Sequence, residues 1–114
     1  MATAAEIRDK AGFMLGVKTL GQALENSVSS DLDDAYTEVY ERLRAEDLVN
    51  WTTDIPNDVV SPVVDLVAFA RATQYGVSGE RYQRIILAAQ QAEIRIRRSL
   101  QDDYFTDETE AKYY

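Results

Sequence analysis

The chain has 114 residues, a length that suits a single domain. Twenty acidic and twelve basic residues give a net charge of −8, which disfavours a general nucleic-acid coat or attraction to anionic membranes. The sequence contains neither Cys nor His, which excludes disulfides, thiol nucleophiles, histidine-based catalytic pairs and the usual zinc sites. No apolar run is long enough to span a bilayer, and the N-terminus shows no signal-peptide pattern.

A first helix is predicted over Ala4–Leu15. Thr3 is placed to cap it, and Glu6 follows at the spacing of a capping box. Gly16 stands where a helix commonly ends in a left-handed residue. The stretch to Ser30 contains two glycines and reads as a loop, with a short turn around Thr19 to Leu24.

The second helix is predicted to begin after Ser30, which would act as its cap, and to end near Asp47. Asp31, Asp33 and Asp34 would then lie in its first turn, where the helix dipole favours negative charge. Apolar and aromatic side chains recur at helical spacing and predict its buried face: Leu32, Ala35, Tyr36, Val39, Tyr40 and Leu43.

The third helix is predicted to begin at Pro56, run to about Gln74 and end at Gly76. It is rich in Val and Ala and apolar on nearly all sides, with Pro62 one turn inside. Such a helix should occupy the centre of the molecule or face a partner on its second side.

The fourth helix is predicted from a cap at Ser78 to about Leu100. Its connector to the third helix is so short that the two helices should form an antiparallel hairpin. The sequence therefore predicts a small all-α bundle of about four helices with a C-terminal extended tail. Residues 1–100 would form the helical domain, and residues 101–114 an acidic tail rich in aromatic residues.

The fourth helix is strongly basic. Between Arg81 and Arg98 there are five arginines and one acid, a net charge of +4. Three interpretations stay open: a solvated helix face, contact with nucleic-acid phosphates, or an electrostatic protein interface. The candidate interface residues are Arg81, Arg84, Arg95 and Arg98, with Asp31 and Asp34 of the acid-rich second helix on the opposing face.

The tail has the reverse charge, with five acids and one base in residues 101–114. It also carries four aromatic residues, Tyr104, Phe105, Tyr113 and Tyr114, and aromatic side chains commonly anchor interfaces. The segment is either a disordered end with stray aromatics or one that orders on another subunit or partner. Trp51, in the connector between the second and third helices, is interpreted as a plug of the core rather than a ligand contact.

No catalytic, cofactor-binding or metal-binding residue is predicted. Asp31, Asp33, Asp34 and Glu38 could hold a divalent ion or form an acid–base pair, but a capped helix start has the same appearance, and no calcium-loop spacing is present. The glycines do not form a phosphate loop, and no His is available to activate a serine. An enzyme is therefore disfavoured, and no cofactor is expected.

Two segments of the hairpin carry a resemblance. Ile55-Pro56 followed by Asp58-Val59-Val60 leads into the Val/Ala-rich helix, and Gln74-Tyr75-Gly76-Val77-Ser78 leads into the Ala- and Arg-rich helix. Together with the short first helix and the Asp31 to Leu43 segment, they resemble head-to-tail adaptors (connectors) of tailed bacteriophages. The closest likeness is to the packaged-DNA stabilisation proteins, or tail accessory factors, of short-tailed phages, and it covers most of residues 3–100.

The resemblance implies a non-enzymatic virion protein of the neck, made in the cytoplasm of the bacterial host. Adaptors of this kind bind beneath the portal protein as a ring, commonly of twelve copies. The ring closes the DNA-filled head and provides the docking surface for tail or nozzle proteins. The genome passes through it without sequence-specific contact, and no membrane is involved. C-terminal segments of such adaptors often reach the portal, so the resemblance makes residues 102–114, with Tyr104, Phe105, Tyr113 and Tyr114, the candidate portal contact.

Two other classes stay open. In one, the third and fourth helices act as a helix-turn-helix in a small DNA-binding or regulatory protein, although that turn usually joins shorter helices at a steep angle. In the other, Asp31, Asp33 and Asp34 serve a metal-dependent module.

Overall fold

The computed structural model describes residues 2–18, 21–22 and 24–112, with side chains described up to residue 100. It contains four helices: α1 (Ala4–Leu15), α2 (Asn26–Ala45), α3 (Asn57–Arg71) and α4 (Gly79–Lys112). Within the described ranges the only pairing of extended backbone is an isolated bridge between Ala2 and Ile55. The predicted small all-α bundle is confirmed.

Helix α1 has the bounds that its capping residues predict. The side-chain oxygen of Thr3 accepts a hydrogen bond from the backbone N–H of Glu6 at 3.3 Å. Gly16 ends the helix in the left-handed region at φ 76°. Both ends are therefore specified by residues within one turn, which is why the sequence alone locates them.

Helix α2 begins at Asn26, so the predicted cap at Ser30 is wrong. Glu25 occupies the cap position without a side-chain cap hydrogen bond, and the backbone N–H of Ser29 donates to the Glu25 carbonyl at 2.8 Å. The extra turn carries Val28, which packs against the core, and this burial compensates for the weak cap. No acidic residue lies in the first turn, so Asp31, Asp33 and Asp34 do not act as dipole-compensating caps.

The loop before α2 is described only in part. Thr19, Leu20 and Ala23 lie outside the described residues, and the turn predicted around Thr19 to Leu24 falls largely on them. At its other end α2 finishes at Ala45, two residues before the predicted end near Asp47. Asp47 itself has a positive φ of 57°.

Helix α3 is the central element, as its apolar surface predicts. It packs against α1, α2 and α4, and nine of its fifteen residues are buried, including Pro62 and Asp65. Regular helix ends at Arg71, three residues before the predicted end. The chain then turns until Gly76, at φ 70°, and the Val77 N–H donates to the Ala72 carbonyl at 3.0 Å. Gly76 therefore closes the turn that follows α3 and does not end the helix itself, which stops five residues earlier.

Helices α3 and α4 form the predicted antiparallel hairpin. Ser99 lies near the start of α3, with its Oγ 3.4 Å from an Asp58 carboxylate oxygen. One turn earlier on α4, Arg95 reaches Asp65, which is two turns further along α3. Sequence positions therefore increase along one helix as they decrease along the other.

The last helix does not end at Leu100. Backbone helix continues to Lys112, so residues 101–112 of the predicted tail are continuous with α4. This segment contains neither Gly nor Pro, and nothing in it interrupts a helix. Ser99 lies beside Asp58, at the N-terminal end of α3. The part of α4 beyond residue 100 therefore extends past that N-terminal end.

Among the described residues, no helix combines the length and the apolar character needed to cross a membrane.

Candidate interaction surfaces

Helix α4 leaves one face uncovered because it packs principally on α3. Ile85, Ala92 and Ile96 point into the core and are buried. On the opposite side, Leu87 and Ile94 stand seven residues apart, with 58% and 52% of their surfaces exposed. Residues seven apart on a helix lie on one face. We call this pair the outer ridge of α4.

The four arginines predicted on α4 divide into two groups. Arg84 is exposed, with only a 3.9 Å contact to Glu80 one turn away, and Arg98 is exposed as well. Arg95, in contrast, lies 3.5 Å from Asp65 of α3. The guanidinium of Arg81 lies over Gly16, at the C-terminal end of α1, where the helix dipole favours a cation. Arg84 and Arg98 are therefore directed outward, while Arg81 and Arg95 contact the rest of the subunit.

Asp31 is occupied within the subunit. Its carboxylate accepts hydrogen bonds from Arg71 Nε at 3.2 Å, from Gln74 Nε2 at 3.0 Å and from the Tyr75 hydroxyl at 2.6 Å. Burial, and then the hydrogen bond to Asp31, raise the pKa of Tyr75 to about 12. Asp31 thus ties α2 to the end of α3, a structural role that sequence reasoning missed because its partners lie at least forty residues away.

The acid-rich helix α2 keeps a smaller outward acidic edge. Glu38 pairs with Arg71 at 2.9 Å, and Asp33 pairs with Arg8 of α1 at 3.4 Å. Asp34 and Glu41, seven residues apart, are both exposed on the outer side of the helix. We call these two residues the acidic edge of α2.

The acids of α2 do not converge on one point. Asp31 turns toward α3, whereas Asp33 turns toward α1. Among the described residues, no group of three or more His, Cys, Asp or Glu side chains is arranged to hold a metal ion. The metal-dependent alternative gains no support from this part of the chain.

Asp65 is a buried acid on the central helix, only 7% exposed. Burial raises the pKa of its carboxyl group, and the nearby charge of Arg95 lowers it. The pair lies at the α3–α4 contact, so Arg95 offsets a charge that the fold itself has buried. Arg95 is therefore needed inside the subunit.

Trp51 belongs to the core. It is 6% exposed, its indole N–H donates to the Tyr36 hydroxyl at 3.3 Å, and the Tyr40 hydroxyl donates to its carbonyl at 3.0 Å. Tyr40 and Trp51 also help to line a depression of about 600 Å³, whose other walls include Arg44 and Asp54. The interpretation of Trp51 as a core plug is confirmed.

The predicted portal-contact residues fall in the last part of the chain. Tyr104 and Phe105 lie on the continuous backbone of α4, and their side chains are outside the described residues. Tyr113 and Tyr114 lie wholly outside the described residues.

Comparison of the chain with protein-family models, with curated proteins and with solved structures finds no match in any of the three.

Proposed function

We propose that the chain is a virion structural protein: a head-to-tail adaptor that forms a ring beneath the portal, closes the DNA-filled head and offers a docking site for the tail. The observation that carries the proposal is the separation of two oppositely charged surfaces on one subunit. Arg84 and Arg98 project from α4, and Asp34 and Glu41 project from α2. Helix α3 packs on both helices, and α2 and α4 also meet directly through an ion pair between Arg42 and Glu93 at 3.1 Å.

This arrangement suits a ring. A closed ring requires a heterologous interface, in which one surface of a subunit meets a different surface of the next. Charge complementarity of that kind fixes orientation and accelerates encounter more than it adds affinity. The basic residues of α4 would therefore meet the acidic edge of α2 on the neighbouring copy.

The remaining features are assigned by the same proposal. The ring would contain twelve copies in the neck of the virion, and residues 102–114 would reach the portal. Tail or nozzle proteins would bind the opposite side. The net charge of −8 would keep the passing genome from adhering to the ring, because acidic surfaces repel DNA phosphates.

The DNA-binding alternative is less well supported. Helices α3 and α4 lie alongside one another over most of the length of α3. Ser99 of α4 contacts Asp58 near the start of α3, and Ile86 of α4 lines the same groove as Phe69 near the end of α3. A helix-turn-helix instead crosses its two helices at a steep angle so that the second can enter the major groove.

The proposal is tested by a pull-down with the portal protein encoded near this chain. The wild-type chain should be retained, and Arg84→Glu/Arg98→Glu should reduce retention because ring closure fails. The control Lys10→Glu reverses a charge at an exposed position of α1, outside both proposed surfaces, and should bind normally. Failure of the wild-type chain to bind portal, together with salt-sensitive binding to duplex DNA, would favour the alternative.

A further inference from the structure

We infer that the outer ridge of α4 is a docking site for the acidic C-terminal segment, residues 101–114, of a second copy of this chain. The resulting pair would be antiparallel, with each α4 lying along the other. The inference concerns the free protein and does not rest on the proposed function. The pair would have to open before Arg84, Arg98 and residues 102–114 could make the contacts proposed for the ring.

The first support is the chemistry of the ridge. Leu87 and Ile94 each expose more than half of their surface, on the side of α4 opposite the buried Ile85, Ala92 and Ile96. Arg84, Arg97 and Arg98 are exposed on the same helix and flank the ridge with positive charge. A matching occupant needs apolar or aromatic groups together with carboxylates.

The second support is that the chain supplies such an occupant. Residues 101–114 contain five acids, one base and four aromatic residues, a net charge of −4. The part of α4 from Arg81 to Arg98, which contains the outer ridge, carries a net charge of +4. Glu80 reduces the charge of residues 79–100 to +3, so the two parts of the helix are opposite and nearly equal in charge.

The third support is the continuity of the helix, which prevents the segment from reaching the ridge of its own chain. Helix α4 runs without a break to Lys112. At 1.5 Å per residue, position 105 lies about 16 Å beyond position 94 along the axis. A segment in the same helix cannot fold back, so only a second copy can bring it to Leu87 and Ile94.

An antiparallel pair satisfies both copies at once. If the pair is centred near Ser99, residues 84–98 of each chain lie opposite residues 100–114 of the other. Each basic stretch then meets an acidic one, and the two contacts are identical by two-fold symmetry. Residues 101–112 of α4 extend past the N-terminal end of α3, so they are positioned to lie along the helix of a second copy.

The test is the mass of the full-length protein by analytical ultracentrifugation over a range of protein and salt concentrations. The wild-type chain should approach twice 12.9 kDa at low salt and dissociate as salt rises. Leu87→Ser/Ile94→Ser should weaken the pair by roughly tenfold or more. A full-length variant with the five tail acids changed to amides should do the same. Phe13→Ser, at an exposed apolar residue of α1, is the matched control and should leave the mass unchanged.

A mixing experiment identifies the two surfaces as partners. The ridge variant retains an intact acidic segment, and the amide variant retains an intact ridge. Mixed, they should form a one-to-one pair through a single contact, although each alone is monomeric. A wild-type chain that remains monomeric at high protein and low salt would overturn the inference, as would a dimer that neither variant weakens. Portal binding is measured separately, so failure here leaves the adaptor proposal standing.

Discussion

Among the described residues, Asp65 is the only polar or charged residue that is almost fully buried. Burial raises its pKa, and the opposing effect of Arg95 is smaller. A pKa above the ordinary value of 3.8 means that the folded chain binds this proton more tightly than the unfolded chain does. The ionised carboxylate therefore lowers stability, and the effect appears as pH rises through the folded-state pKa.

Asp65→Asn is expected to raise the free energy of unfolding at pH 7 by on the order of 1 kcal/mol, since it removes a buried charge. The advantage should disappear below pH 3.8, where the wild-type carboxyl group is protonated in both states. Urea unfolding at several pH values measures both effects. Asp34→Asn, at an exposed position, is the control. A variant less stable than wild type at pH 7 would mean that the ion pair outweighs desolvation.

Tyr75 affects stability with the same sign as Asp65 but in the alkaline range of pH. Burial and its hydrogen bond to Asp31 raise its pKa to about 12, so the stabilisation is present below pH 10 and is lost as pH rises from 10 to 12. Tyr75→Phe should cost about 1 kcal/mol at neutral pH because it leaves a carboxylate oxygen without one donor. The difference from wild type should shrink above pH 10. A constant difference across that range would contradict the assigned role of Asp31.

At the level of elements, the ends of α1 and the connector between α3 and α4 show what local sequence determines. Thr3, Gly16 and Gly76 act within one turn of the chain, and the structure places all three as their residue types predict. The start of α2 depends instead on the packing of Val28 against the core, which no local pattern records. The extent of α4 depends on the absence of any helix breaker before Lys112.

The two glycines allow a matched test. Both Gly16→Ala and Gly76→Ala force a side chain into a left-handed conformation, which costs about 1–2 kcal/mol. At Gly16 the new Cβ would also displace the Arg81 guanidinium, whereas no atom of the described residues lies within 4 Å at Gly76. Gly16→Ala should therefore lower the melting temperature more than Gly76→Ala. Equal losses would mean that Arg81 contributes nothing at the end of α1.

At the scale of the whole molecule, composition and periodicity predicted the fold class and the central position of α3. They could not predict which charges remain available for a partner. The sequence pattern groups Arg81, Arg84, Arg95 and Arg98 together, and only the tertiary contacts separate the outward Arg84 and Arg98 from the other two. Asp31 is removed from the candidate interface in the same way, by partners at the end of α3 and in the connector that follows it.

The proposed ring interface predicts a charge-swap rescue. Arg84→Glu/Arg98→Glu and Asp34→Arg/Glu41→Arg should each prevent assembly on portal, because each opposes like charges across the interface. The quadruple variant should restore it. Assembly is measured by sedimentation with portal, and thermal unfolding of each variant shows whether the subunit remains folded. Loss in both double variants without rescue in the quadruple variant would argue that these residues do not meet.

The most direct test of the adaptor proposal is a negative-stain image of this protein mixed with the portal encoded near it. We expect an additional ring of density capping one end of the portal, with the copy number of the portal ring. Portal particles that remain bare at saturating concentrations of folded protein would contradict it.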